Sequence, residues 1–148
     1  MENKYFTPSI EDIRIGYECE AHLLIIERVD KWIPIKFKGV CEDVRKYHSQ
    51  GVYRTLYLTK EQIEEEGWEF KQTNKIRDWY EIESPEDGGN WYGYYIYKAQ
   101  LIYDEEMKLM KISFCFDCTT WETVFEGECK CINTLRSVMR LLRMKIKK

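Results

Sequence analysis

An alternation of apolar and polar residues constrains the fold of this chain more than any other feature. It starts near Ile15, becomes a continuous apolar run at residues 23–26, and returns at residues 32–38. A period of two is typical of a strand with one buried face. Residues 15–28 and 32–38 are therefore predicted to form a hairpin joined at residues 29–31, with Pro34 at an edge or a bulge. In the first strand, Tyr17, Cys19 and Ala21 alternate with Glu18, Glu20 and His22.

A short helix is predicted in the middle of the chain. Thr59 can accept a hydrogen bond from an orphan backbone N–H, and Gln62 can reach back to it, as in a capping box. Acidic residues follow in the first turns, where the helix dipole favours them. Gly67 supplies a left-handed stop after about two turns, and a strand is predicted to begin at Trp68.

The second half of the chain reads as strands followed by a helix. Strands are predicted at residues 78–83, 91–103, 108–116 and 120–126, with a turn at 84–90 and a hairpin at 104–106. Asn133 is the predicted N-cap of the last helix. Its apolar stripe consists of Leu135, Val138, Met139, Leu142 and Ile146.

These elements predict an α+β fold. Strands outnumber helices, hairpins connect them, and no βαβ alternation is present, which favours an antiparallel sheet of about six to seven strands. The C-terminal amphipathic helix is expected to pack on one face of that sheet. With 148 residues and no linker, repeat or low-complexity tract, residues 1–148 are expected to form a single domain.

The composition and the N-terminal residues indicate in which compartment such a protein is expected. Its 15% aromatic and 44% hydrophobic content argues against disorder. The N-terminal residues lack a secretory signal, and the longest largely apolar stretch, residues 21–26, is far too short to span a bilayer. We therefore expect no membrane partner. In a reducing compartment the six cysteines are expected as thiols or metal ligands rather than disulfides.

Familiar catalytic motifs are missing from the sequence. Two histidines are present, and there is no Gly-x-Ser-x-Gly, His-Glu-x-x-His or phosphate-cradling glycine loop. The sharpest small cluster is Glu18, Glu20 and His22, which period two places on one side of a strand. Two carboxylates and an imidazole could bind a divalent cation or share a proton. The alternative is the solvent face of a half-exposed strand.

Two close cysteine pairs are candidates for a metal site. Cys115 and Cys118, followed by Cys129 and Cys131, could supply the four thiolates of a tetrahedral zinc site. Cys115 lies in an apolar strand rather than on the tight turn that zinc pairs usually occupy. Buried thiols acting as small hydrophobic residues are the favoured interpretation, and no metal or other cofactor is predicted.

An aromatic segment is the candidate partner-binding surface. As one strand it would place Trp91, Tyr95 and Tyr97 on one face and Tyr92 and Tyr94 on the other. A helix covers only one sheet face, so some rings should remain exposed unless a partner or a second copy covers them. Such rings could also stack on bases. The alternative is that the tyrosines pack on the sheet and point their hydroxyls to water.

A basic ridge is predicted on the last helix. Residues 128–148 contain one acidic and seven basic side chains, whereas residues 60–87 contain ten acidic and four basic ones. The ridge could contact phosphates, or it could pair with the acidic segment within the fold or between copies. A solvated basic face at a helix C-terminus is the default. Its members are Arg136, Arg140, Arg143 and Lys147.

Three stretches resemble a group of small uncharacterised proteins encoded by bacteriophages and integrated elements of gut bacteria. They are residues 5–20 (YFTPSIEDIRIGYECE), residues 57–68 (YLTKEQIEEEGW) and residues 127–142, which begin GECK. Cys131 departs from the polar residue usual there, and residues 73–126 match poorly. The resemblance implies a phage or prophage origin and a place in the host bacterial cytoplasm, and it implies no activity.

Three functions are open from the sequence. The first is a non-enzymatic accessory protein that binds a host or phage macromolecule, a protein partner or a second copy, with counter-defence as one such role. The second is a nucleic-acid-binding protein that uses the basic helix and exposed aromatic rings. The third is a cryptic metal-dependent enzyme.

Overall fold

The structure is a computed structural model of the whole 148-residue chain. The residues it describes are 4–39, 42–74, 77–83, 90–91, 94–95, 98–115 and 120–144. The chain divides into two compact units, Met1–Tyr57 and Leu58–Lys148. Each unit has a hydrophobic core of its own, and the single-domain expectation stays a prediction.

The first unit is built around a four-stranded antiparallel sheet with strand order β1-β4-β2-β3. Its elements are β1 Tyr5–Phe6, β2 Glu18–His22, α1 Leu23–Glu27, β3 Trp32–Lys36, α2 Glu42–Ser49 and β4 Tyr53–Leu56. Alternate residues of β2 and β4 are buried, as period two requires. The buried core consists of Ile13, Tyr17, Cys19, Ala21, Phe37, Val52 and Tyr53. Within it, the Tyr17 hydroxyl lies 2.8 Å from the Thr55 hydroxyl, so both buried polar groups are satisfied.

The second unit is built around a five-stranded antiparallel sheet with strand order β11-β10-β9-β6-β5. Its strands are β5 Glu69–Asn74, β6 Arg77–Glu83, β7 Asn90–Trp91, β8 Tyr94–Tyr95, β9 Lys98–Asp104, β10 Leu109–Cys115 and β11 Trp121–Glu128. Strands β7 and β8 pair only with each other among the described residues. The helices are α3 Lys60–Glu65 and α4 Ile132–Leu141.

Helix α3 forms as its local sequence predicts. The Thr59 hydroxyl accepts from the Gln62 backbone N–H at 3.1 Å, and the Thr59 N–H donates to the Gln62 side chain at 3.2 Å. Gly67 ends the helical segment with a φ of +104°, a conformation that glycine adopts without strain. The capping box is therefore confirmed.

Helix α4 packs against one face of the five-stranded sheet, as predicted. Leu135, Val138, Met139 and Leu142 are buried in the same cluster as the inward side chains of β6, β9 and β10. The Trp68 indole donates to the Met139 sulfur at 3.4 Å. Ile146, the last member of the predicted stripe, lies outside the described residues.

The predicted N-cap of this helix is wrong by two residues. Cys131 caps it, without a side-chain hydrogen bond, because Ile132 is already helical and buried in the core.

The α+β class is confirmed, whereas the single sheet of six to seven strands is wrong. The described residues form a four-stranded and a five-stranded antiparallel sheet, a separate β7–β8 pair and four helices. Alternation predicts that a segment is a strand but not which strand it pairs with. Strands β1 and β4, which the sequence did not reveal, complete the first sheet within its own unit.

Two further segments differ from expectation. The apolar run from Leu23 forms α1 instead of extending the strand, because a short apolar run has no period to distinguish the two states. The Arg28 N–H bonds to the Leu23 carbonyl and closes the helix in a left-handed turn. The long strand predicted at 91–103 is also wrong, since β7 folds back antiparallel on β8 and only β9 joins the large sheet.

No helix among the described residues is long and apolar enough to cross a membrane.

Candidate functional site

The outward face of the four-stranded sheet holds the cluster singled out in the sequence. Glu18, Glu20 and His22 are half-buried, and the residues between them, Cys19 and Ala21, are buried. The three polar side chains therefore share one face, as predicted. Across the sheet, Glu20 lies opposite Arg54 of β4, and His22 lies opposite Trp32 of β3.

Arg54 organises this face. Its Nε donates to Glu20 Oε1 at 2.7 Å, and both side chains are less than a third exposed. Its guanidinium carbon lies 3.8 Å from the centre of the Tyr5 ring and 4.1 Å from that of Trp32. A guanidinium between two rings gains two cation–π contacts, which ties β1, β4 and β3 together.

His22 extends the same stack. Its ring lies parallel to Trp32, with centroids 4.5 Å apart and an interplanar angle of 8°. Its Nε2 lies 2.8 Å from Asp30 Oδ1. We call Tyr5, Arg54, Trp32 and His22 the Arg54 stack.

The stack separates the groups that the sequence suggested might act together. Glu20 is bound to Arg54, and His22 is bound to Asp30, so the two do not converge on one ion or one proton. Within the described part of the chain, no three His, Cys, Asp or Glu residues are grouped so that they could hold a metal ion. The second histidine, His48 of α2, donates its Nε2 proton to the Pro8 carbonyl at 2.6 Å.

An exposed apolar surface lies at one end of this sheet. Helix α1 and the turn after it connect β2 to β3, and the side chains of Leu24, Ile25 and Val29 remain 48%, 49% and 46% exposed. We call these three residues the apolar tip. The residues that follow α1 up to β3, at positions 28–31, are exposed as well. Large apolar side chains gathered in the open are typical of interaction surfaces.

The predicted aromatic surface is described only in part. The backbones of Trp91, Tyr94 and Tyr95 lie in β7 and β8, where Trp91 pairs with Tyr94. Tyr92 and Tyr97 lie outside the described residues. The alternating faces expected of one continuous strand do not apply to a chain that folds back, and partner binding by these rings stays a prediction.

The basic ridge is partly engaged within its own unit. Arg136 Nε donates to Glu66 Oε1 at 2.8 Å, so the acidic segment attracts the ridge inside the fold. Arg140 and Arg143 are exposed, and Arg143 lies beyond the end of α4 with a φ of +53°. Lys147 lies outside the described residues. Phosphate binding by the ridge stays a prediction.

The candidate metal thiols that the structure describes are buried. Cys115, Cys129 and Cys131 are at most 3% exposed, and Cys118 lies outside the described residues. The Cys129 thiol donates to the Cys131 carbonyl at 3.7 Å. Burial, reinforced by the neighbouring Cys131, raises the pKa of Cys129 to about 12, and burial does the same for Cys19. A neutral thiol is a poor nucleophile and a poor metal ligand.

Sequence reasoning missed Arg54, Trp32 and the apolar tip. Arg54 is 34 residues from Glu20, and no local pattern reveals such a pair. The apolar tip did carry a signal, four consecutive apolar residues, which was attributed to a buried strand.

Comparisons with protein-family models, with curated proteins and with solved structures found no match to this chain. The residues described above are therefore the basis for any inference about function.

Proposed function

We propose that this chain is a non-enzymatic accessory protein of a bacteriophage or mobile element, and that it binds a protein partner through the apolar tip. The observation that supports this most directly is the half exposure of Leu24, Ile25 and Val29 within six consecutive residues. Burying the remaining surface of each would contribute about 1 kcal/mol. A chain gains nothing in stability from leaving them in water.

The surroundings of the tip resemble an interface rim. Arg28, Asp30 and Lys31 are exposed beside it and carry both signs of charge. An apolar centre with a polar, hydrogen-bonding margin is the usual anatomy of a protein contact. The Arg54 stack adds rigid aromatic surface next to the tip, because Trp32 directly follows these residues on β3.

The chemistry of the described side chains also supports a binding role over turnover. His22, His48 and Glu20 each make a close hydrogen bond within the unit, at 2.8, 2.6 and 2.7 Å. The raised pKa values of Cys19 and Cys129 keep those thiols protonated at neutral pH. Side chains that are hydrogen-bonded in this way stabilise the fold rather than bind a substrate.

A tip of three side chains anchors an interface but does not complete one, since a stable contact buries about 800 Å² on each partner. Self-association through the tip is the second form of this proposal. Nucleic-acid binding by the basic helix is less favoured, because Glu66 already holds Arg136.

Affinity capture with a matched variant tests the proposal. The tip variant carries Leu24→Asp and Ile25→Asp, and the control carries Ile15→Asp, which is 77% exposed in the same unit but outside the tip. We expect the wild type and the control to recover one partner protein, with cross-links to residues 24–32. The tip variant should not recover it. If self-association is the function, sedimentation should show a dimer that only the tip variant abolishes.

Equal recovery of the partner by all three proteins would contradict the proposal. A gel-shift assay with a labelled oligonucleotide at low salt tests nucleic-acid binding, the alternative function. Oligonucleotide binding that is lost in the Arg140→Glu variant would favour that alternative.

A further inference from the structure

Strand β11 is an edge strand of the five-stranded sheet as far as the structure describes it. Among the described residues it pairs only with β10, and five of its eight residues are exposed. It contains no proline. A long strand at a sheet edge presents unpaired N–H and C=O groups and can accept a further strand from another chain.

The core beside this edge is incompletely covered. Val124 and Phe125 pack against the buried cluster of the second unit, yet both are only partly buried. The Phe125 ring extends over Gly127, where a β-carbon would lie 3.4 Å from its Cζ atom. An apolar side chain on an added strand would cover the exposed edge of that ring.

The negative charge of β11 determines which kind of strand can bind to its edge. Glu122, Glu126 and Glu128 are exposed, and within the described residues Glu122 and Glu126 make no ion pair, whereas Glu128 lies 3.4 Å from Lys130. Opposite charges across a strand pair stabilise it, and like charges destabilise it. A strand with basic residues is therefore complementary to this edge.

The same glutamates disfavour pairing between two copies. A β-bulge at Val124 divides them between the two faces of the strand: Glu122 is paired with Phe114, whereas Glu126 is paired with Lys111. Pairing two copies of β11 would bring six glutamates together with no basic residue on either strand, so the edge is better suited to a different chain than to itself.

We propose that β11 binds an extended segment of a partner protein in which basic and apolar residues alternate, adding a sixth strand to the sheet. The basic residues lie against the glutamates, and the apolar residues cover Phe125. This surface is in the second unit and is independent of the apolar tip, so either proposal can fail without the other.

Fluorescence anisotropy with two labelled peptides tests this proposal on the full chain. The probe is an eight-residue peptide of alternating lysine and valine, and its control replaces lysine with glutamate. We expect the lysine peptide to bind at least about tenfold more tightly at low salt. When the lysine peptide is bound, the backbone amides of residues 121–128 should exchange their hydrogens more slowly.

Two charge-neutralising variants locate the binding. Glu122→Gln with Glu126→Gln should weaken binding of the lysine peptide about three- to tenfold. Glu64→Gln with Glu65→Gln removes the same charge from the exposed face of α3 and should change it less than about twofold. Equal binding of the two peptides, equal losses in the two variants, or slowed amides outside β11 would overturn the proposal. Binding that persists in the Leu24→Asp, Ile25→Asp protein would separate it from the apolar tip.

Discussion

Replacing Arg54 by lysine should destabilise the first unit although the charge is kept. Lysine can still reach Glu20, but its compact ammonium does not reproduce the planar guanidinium, whose carbon lies 3.8 Å from the centre of the Tyr5 ring and 4.1 Å from that of Trp32. Each cation–π contact at a partly exposed site contributes about 0.5–1 kcal/mol. Losing most of both should therefore cost about 1–2 kcal/mol.

The ion pair is a separate and smaller contribution. Glu20 and Arg54 are 29% and 28% exposed, and a pair this accessible to water contributes about 0.5–1 kcal/mol. Glu20→Gln should cost about that amount. The two substitutions should not be additive, because the side chains are in direct contact at 2.7 Å.

Hydrogen exchange of the β2 and β4 amides is the assay that isolates this unit, and urea unfolding gives the overall change. Trp32→Leu serves as the matched control, since it removes one ring and leaves the arginine. If Arg54→Lys changes the exchange free energy by less than about 0.5 kcal/mol, the rings do not hold the guanidinium and the reasoning from their distances is wrong.

Three other outcomes follow from the second unit. Thr59→Ala removes the capping box and should cost about 1 kcal/mol in urea unfolding, with no change in the sheet signals. Leu135→Ala leaves a cavity under α4, because this side chain is fully buried, and should lower the free energy of unfolding by about 2–5 kcal/mol. A fall in melting temperature smaller than that of a surface control variant would contradict this. Cys129 should resist a thiol reagent at neutral pH until the protein unfolds. Because folding raises its pKa from 9.0 to about 12, its contribution to stability should decline as pH rises through that interval, and rapid labelling of the native protein would disprove this.

The parts of this fold that were predictable are those set by neighbouring residues. The capping box around Thr59 fixes α3, and the alternation in β9 and β10 fixes their hairpin. The apolar stripe of α4 predicted which face is buried. In each case the deciding interactions span only a few positions in the sequence.

Other parts depend on contacts between distant positions. The Leu23 segment became a helix because the chain must turn back between β2 and β3, which its apolar run does not show. Helix α2 had a usable signal, with Glu42 and Asp43 in its first turn and Lys46 in its last, as the dipole favours. It has no fully buried residue, so its apolar stripe was weak. The Arg54 stack joins side chains from four strands, β1, β2, β3 and β4, and could be found only in three dimensions.

The pairing of β1 with β4 links the start of the first unit to its end. Tyr5 pairs with Leu56, so β1 leaves the ribosome about fifty residues before the strand with which it pairs. At roughly 5–20 residues per second, that delay is several seconds. During that interval Arg54 has not yet been made, so Tyr5 and Trp32 both lack the guanidinium that they contact in the folded sheet. Translation speed across residues 7–56 thus sets how long the nascent sheet edge stays uncovered.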